Sequence, residues 1–448
     1  MRMVDLIEKK REGGELSDDE IRFIINGYMN GDIVDYEMSA MLMAIYFRGM
    51  SERETLTLTL AMRDSGDQVD LSAIPGIKVD KHSTGGVGDK TSMIIGPAVA
   101  ACGIPVAKMS GRGLGFTGGT VDKFESIPGY RTEFTMDEFI SLVREHGISM
   151  IGQSGDLAPA DKSLYALRDV TGTVPSIPLI ASSIMSKKLA SGADKIVLDV
   201  TVGNGAFMQE LDKAKELAGR MISIGNGAGK KTVALLTDMN EPLGYAIGNN
   251  LEVKEVIAAL QGDGPDDLME ISCALSGMML SLAKDISYDE GKALAEEKIK
   301  DGSAFSKFKE LVKAQGGDIS FIEDPSKFKT APVSSELTAD KAGYISLIDT
   351  YALGIASGRL GAGREKKDDI IDMSAGIILH KKIGDHVVPG ESIATLYGGS
   401  PGRPDKPLQV IEDNLQHVLH DIKSAFTIAD ERPDKNPLIH EIMVTIHG

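Results

Sequence analysis

The residues best able to do chemistry lie between Asp80 and Glu125, where ten glycines fall from Gly85 to Gly119 among a few cations and hydroxyls. Two runs share one grammar. Lys81-His82-Ser83-Thr84-Gly85-Gly86-Val87-Gly88-Asp89 follows a short alternating segment, residues 77–80, that suits a strand, and precedes an apolar run, residues 92–101, that suits a helix. A second strand, residues 104–107, leads into Lys108-Met109-Ser110-Gly111-Arg112-Gly113-Leu114-Gly115-Phe116-Thr117-Gly118-Gly119-Thr120. Strand, glycine loop and helix in that order turn unpaired N–H groups and a positive dipole end toward an anion. Lys81, Lys90, Lys108 and Arg112 bring positive charge to a chain of formal net charge -18, and Ser83, Ser92, Ser110 and Thr120 add neutral donors. The two loops are expected to converge on one phosphate held by Lys81, Ser83, Ser92, Lys108, Ser110 and Thr120. Neither loop reads Gly-x-x-x-x-Gly-Lys-Ser/Thr, and no strand with an acidic end follows the Gly113, Gly115, Gly118 run, so a small phosphate is favoured over a nucleotide cofactor.

The elements that must position these loops follow from periodicity. The first 65 residues are helical, with capping boxes at Ser17-Asp18-Asp19-Glu20 and Ser51-Glu52-Arg53-Glu54 and with Ile21, Ile24, Ile25 and Tyr28 at one-face spacing. From residue 77 strands alternate with helices, the texture of a doubly wound parallel sheet with ligands at its strand ends. Residues 160–170 and 179–189 read as two helices without an intervening strand, and the α/β pattern resumes at residue 195. The predicted fold is therefore multidomain α/β: a helical domain (1–67 and 156–192), an α/β phosphate-binding domain (68–155 and 193–335) and a C-terminal α+β domain (336–448). Residues 376–394 resemble the hammerhead of biotinyl carriers, but no lysine stands at the hairpin tip, so a structural or dimer-supporting role is expected there. At 448 residues, 42% hydrophobic and 25% charged, the chain suits a globular enzyme. Its acidity argues against nucleic-acid or anionic-membrane partners. Cys102 and Cys273 lack metal-type spacing and read as buried free thiols, and the N-terminus lacks a signal-peptide pattern, so a cytoplasmic location is expected.

The two glycine motifs, the second extended through Val121-Asp122-Lys123-Phe124-Glu125, resemble the signature of the thymidine and pyrimidine-nucleoside phosphorylases, and the resemblance extends over the whole chain. Phe116 and Phe124 depart from that pattern, and both are read as variation in pocket shape. The resemblance implies phosphate as co-substrate, a pyrimidine nucleoside as substrate and a homodimer paired through apolar residues of the helical domain (Leu6, residues 21–28 and residues 38–47). It also implies a monovalent cation, K+, at Gly88, Lys90, Leu243, Ala246 and Glu255.

Tyr165 and Arg168, three apart, and Ser183 and Lys187, four apart, each share a helix face. On spacing alone these are solvated faces. By resemblance Arg168, Ser183 and Lys187 hold the pyrimidine ring with Tyr165 beside them, and Arg168 and Lys187 stabilise charge on the departing base. His82, the only histidine in the loops, is either the proton donor near the base carbonyl or a hydrogen-bonded packing residue. The expected reaction is phosphorolysis of uridine, thymidine and deoxyuridine. The alternatives are an enzyme restricted to deoxyribonucleosides, an anthranilate-type phosphoribosyltransferase with Asp199 as a Mg²⁺ carboxylate, and a non-catalytic phosphate or nucleoside sensor.

Overall fold

Serine at the N-cap with glutamate three residues on sets the start of two of the first four helices: α1 (Met3–Arg11), α2 (Asp18–Asn30), α3 (Asp35–Arg48) and α4 (Glu52–Arg63). The computed structural model describes residues 1–113, 115–153, 157–364, 369–400 and 407–444. Leu114 of the second motif and the expected boundary between residues 155 and 156 lie outside the described residues.

The sheet begins with β1 (Val79–Ser83), followed by α5 (Thr91–Ala101), β2 (Val106–Ser110), α6 (Thr120–Glu125), α7 (Met136–His146) and β3 (Ile148–Gly152). Then come α8 (Pro159–Thr171) and α9 (Ile177–Ala190), whose Leu164 and Leu179 join Ile21, Ile24, Ile25, Met41 and Leu42 in the helical core. The second helical segment thus packs against the first. The α/β part continues with β4 (Lys195–Val202), α10 (Leu211–Gly227), β5 (Lys231–Asp238), β6 (Ala246–Ile247), α11 (Asn249–Leu260), α12 (Asp266–Lys284), α13 (Tyr288–Lys300) and α14 (Ser303–Ala314). Ile196, Val197, Leu198 and Val200 of β4 are fully buried because helices cover both faces, α9 and α10 on one side and α5 and α12 on the other.

The expected single parallel sheet is two ladders. One has the order β1-β4-β5 and is extended by a C-terminal strand; the other pairs β2 with β3. Where β2 passes β1, the Lys108 ammonium donates to the Lys81 carbonyl oxygen at 2.5 Å, so a side chain meets an acceptor that a ladder would otherwise use. Both strands also start later than predicted and run through Lys81-His82-Ser83 and Lys108-Met109-Ser110, because their partners continue in register as far as Ser83↔Asp199 and Ser110↔Gly152.

The remaining elements are α15 (Ser320–Glu323), β7 (Val333–Thr338), β8 (Gly343–Ile348), α16 (Thr350–Ser357), β9 (Gly376–Leu379), β10 (His386–Val387), β11 (Ser392–Gly398), α17 (Leu408–Asp421), β12 (Phe426–Ala429) and β13 (Ile439–Met443). They form two small antiparallel sheets, β10-β8-β12 and β6-β9-β11-β7. The expected boundary at 335/336 falls inside β7, and two pairings bridge it: β6 pairs with β9, and β13 closes the central sheet antiparallel to β5.

Candidate active site

Side chains alternate along β1, and that alternation sorts the first motif onto two faces. Asp80 and His82 look toward α9; Lys81 looks the opposite way, toward α5. Lys81 is buried, with its ammonium 2.8 Å from both Asp199 Oδ2 and Thr91 Oγ1. Burial opposes its charge, but the Asp199 and Asp89 carboxylates keep it protonated. It does not line the cleft, so the expected direct contact with phosphate is corrected to a supporting role under the loop. Asp199, the Mg²⁺ candidate, is engaged by Lys81 and by the Thr237 hydroxyl.

A cleft of about 410 Å³ opens at the strand ends between the sheet and α8–α9. Ser83, Ser92, Lys108, Ser110 and Thr120 line it from the glycine loops, together with His82, and Tyr165, Arg168, Ser183 and Lys187 line it from the helical side. The Ser83 hydroxyl accepts from Gly85 N–H at 3.0 Å and folds the first loop. In the second loop the backbones of Gly113 and Gly119 approach so closely that a Cβ on Gly119 would lie 2.0 Å from Gly113 N. Buried Asp122 pins this loop by accepting from Gly113 N–H at 2.7 Å and from Arg112 and Arg364. Arg112 also lines the cleft, its guanidinium paired with Asp122 and Glu125. Its charge stands at the second loop, shared with these two carboxylates.

At the floor of the cleft stands a buried triad. Asp80 Oδ2 lies 2.7 Å from Lys188 Nζ, and Asp80 Oδ1 lies 3.3 Å from Lys108 Nζ. Burial pulls Lys108 down to about 7, the neighbouring Lys188 and Lys81 charges add to that, and Asp80 opposes them. His82 is held well below its usual range by burial and then by Lys188, Lys108, Lys81 and Lys187, so it presents a neutral imidazole at neutral pH. Sequence reasoning missed Lys188 and Asp80, although Lys188 adjoins Lys187 and Asp80 adjoins the first motif. A helix or strand position next to a site residue faces elsewhere on spacing alone, and only the packing of α9 over β1 joins the two.

On the helical side the Arg168 guanidinium donates to the carbonyls of Val174 (2.6 Å), Leu179 (3.3 Å) and Thr173 (3.4 Å), and sits 5.8 Å from the Tyr165 ring centroid. Burial lowers its pKa while Asp161 and Tyr165 oppose the shift. Lys187 Nζ bonds Asp161 Oδ2 at 2.5 Å and Ser183 Oγ at 3.2 Å. Asp161, also missed, orients Lys187 across the gap between α8 and α9.

The expected cation ligands come together, but they do not fit a metal ion. The Lys90 ammonium stands among them, 2.8 Å from the Leu243 and Ala246 carbonyl oxygens and 2.5 Å from Glu255 Oε2. Of the two departures read as pocket variation, Phe124 is corrected, whereas Phe116 touches Phe207 of the cleft lining. Phe124 is core, stacked on Tyr130 at 4.6 Å, and Phe116 packs on Phe207 (5.2 Å) and Tyr351 (4.7 Å) behind the second loop. Cys273 is buried and Cys102 half-buried, and both are free.

A helical bundle set against an α/β sheet, with glycine loops on one wall of the intervening cleft and cationic helix faces on the other, defines a two-domain glycosyl transferase. Residues 4–66 match the glycosyl transferase family helical bundle domain, residues 76–305 the glycosyl transferase family a/b domain, and residues 344–417 the pyrimidine nucleoside phosphorylase C-terminal domain. The chain is 56% identical over 432 residues to the pyrimidine-nucleoside phosphorylase of Geobacillus stearothermophilus, covering 96% of this chain and 100% of that one. It is 55% identical over 417 residues to the Bacillus subtilis (strain 168) pyrimidine-nucleoside phosphorylase, covering 93% and 96%. The chain belongs to the pyrimidine-nucleoside phosphorylase family and is a pentosyltransferase. Among solved structures, anthranilate phosphoribosyltransferase from Thermus thermophilus superposes with a TM-score of 0.57 at 19% identity over 69% of this chain and 98% of that one, a likeness of fold. None of the described helices is long and apolar enough to cross a membrane.

Proposed function

We propose that this protein catalyses the reversible phosphorolysis of uridine, thymidine and deoxyuridine to the free base and ribose or deoxyribose 1-phosphate. The observation that carries the reading is a single cleft with glycine-loop donors on one wall and Arg168, Ser183 and Lys187 on the other. A phosphate oxygen attacks C1′ as the bond from C1′ to the base nitrogen breaks, and the electron pair of that bond leaves with the base. Ser83, Ser92, Lys108, Ser110 and Thr120 hold the phosphate in line. Arg168 and Lys187 stabilise the negative charge growing on the base. His82 acts as a neutral imidazole whose N–H donates to a base carbonyl, and the anionic base finally takes up one proton.

Closing the helical wall onto the loops excludes water, which would otherwise compete with phosphate. The C-terminal module supports this arrangement through its hammerhead-like hairpins and through the strands it exchanges with the α/β part. Pairing of two copies is supported by Tyr36, Met43 and Phe47, which lie at seven- and four-residue spacing on one face of α3 with exposures of 77%, 38% and 75%. Of the residues expected to form that surface from sequence, Met43 and Phe47 lie on this exposed face, whereas Leu6, Ile21 and Met38 are spent in the subunit's own core.

Incubation with uridine, with and without phosphate, tests the reading. Phosphate-dependent release of uracil is expected. Release from deoxyuridine but not from uridine would limit the enzyme to deoxyribonucleosides, and release from neither would leave phosphorolysis without support.

A further inference from the structure

Lys90 is the N-cap residue of α5, directly after the first glycine loop, and its side chain is buried to 0% exposure. An ammonium has three N–H donors, and here three oxygens receive them: Leu243 O, Ala246 O and Glu255 Oε2. The oxygens belong to the turn after β5, to β6 and to α11. The cage is shaped for a small cationic centre. Gly88 has φ +76°, and a Cβ there would lie 2.6 Å from Leu243 O. Gly244 has φ +71°, and a Cβ there would lie 2.4 Å from Glu255 Oε2 and 3.1 Å from Lys90 Nζ. Both walls are thus open only to glycine. Glu255 is further fixed by the Tyr245 and Ala246 N–H groups, which donate to its Oε1 at 2.8 and 3.2 Å. The cage also braces the phosphate loop, since Leu243 N–H donates to Val87 O at 3.1 Å.

A metal ion placed among the same oxygens would stand in contact with the ammonium, two like charges beside a side chain of 0% exposure, where screening is weak. We propose that the Lys90 ammonium is a covalently tethered counter-cation that takes the place a dissociable monovalent cation would hold, so that the first glycine loop is anchored without any metal ion. A tethered cation does not dissociate, and the geometry of the loop becomes independent of which salt is present. The inference does not depend on the reaction assigned above, because the tests read stability and ion occupancy without substrate.

Two measurements on the wild-type protein decide it. The Tm in potassium chloride should equal that in tetramethylammonium chloride at equal ionic strength. Crystals grown in rubidium chloride should show no anomalous peak among Leu243 O, Ala246 O and Glu255 Oε2. A K+-specific rise in Tm, or a rubidium peak in the cage, would overturn the proposal. Lys90→Ser tests the converse, since it empties the cage of its cation and leaves Glu255, 11% exposed, without its ammonium partner. Its Tm in tetramethylammonium chloride should fall by about 5 °C or more, and potassium chloride should restore at least half of that loss. A Lys90→Ser protein indifferent to K+ would also count against the cage. Should that variant fold in neither salt, the two wild-type measurements stand as the decision.

Discussion

Lys188 on α9 and Asp80 on β1 form a buried ion pair of 2.7 Å that joins the helical domain to the phosphate-binding sheet. Both side chains are nearly inaccessible, at 2% and 3% exposure. The pair stands at the floor of the cleft, where α9 meets β1. Removing Lys188 as Lys188→Met leaves Asp80 in a dry environment with only the more distant Lys108, an arrangement that typically costs about 3 to 5 kcal/mol. Urea unfolding should register that loss as a lowered midpoint at unchanged slope. A change below about 1 kcal/mol would mean that water or Lys108 compensates Asp80 fully.

The position of Lys108 near 7 gives a pH signature. In the free enzyme its ammonium is present below about 7 and lost above it, so the charge available to phosphate falls as pH rises through that value. Phosphate also titrates here, but that effect is common to all variants. The ratio of kcat/KM for phosphate between wild type and Lys108→Arg, whose guanidinium stays charged, should therefore decline above pH 7. The sign for stability is opposite. The unfolded chain holds this proton up to its ordinary value near 10.5, so the group's contribution to folding rises with pH between about 7 and 10.5. A flat ratio would show that Asp80 keeps Lys108 charged throughout.

Lys108 also bears on sugar breadth. An ammonium donates to a ribose 2′-hydroxyl, whereas a thioether leaves that hydroxyl unpaired at a cost of about 1 to 3 kcal/mol. Lys108→Met should lower kcat/KM for uridine about ten- to a hundredfold more than for deoxyuridine. Equal losses would confine Lys108 to phosphate.

Lys81 and Ser110 should behave differently although both belong to the glycine motifs. Ser110 lines the cleft, and Ser110→Ala removes a donor to a charged ligand, so its phosphate KM should rise about tenfold or more at little cost in Tm. Lys81→Met strands the buried Asp199 carboxylate, and its principal effect should be lost stability. A stable Lys81→Met enzyme with only a raised phosphate KM would place the ammonium on the phosphate after all.

Phe47 is 75% exposed on α3. If two copies pair over this face, Phe47→Asp should shift the sedimenting species from dimer to monomer at micromolar concentration, with folding intact by circular dichroism. An unchanged mass would move the interface elsewhere.

The sequence by itself determined which local units form and which of them could meet an anion. Capping boxes at Ser17 and Ser51 set helix starts, and strand, glycine loop and helix in succession marked the phosphate wall, because caps, turns and periodicity act over a few residues. Spacing also paired Tyr165 with Arg168 and Ser183 with Lys187, although only family resemblance assigned them to the base. What the tertiary structure decided was where each charge is spent. Lys81, Lys90 and Arg112 all stand in or beside the glycine motifs, yet strand alternation turns Lys81 onto Asp199, the Glu255 cage captures Lys90, and Asp122 with Glu125 pairs with Arg112. Their carboxylate partners lie from 8 to 165 positions away in the chain. Which partner wins is settled by burial and packing, because a cation removed from water takes the nearest anion that folding supplies, and no local pattern encodes that distance.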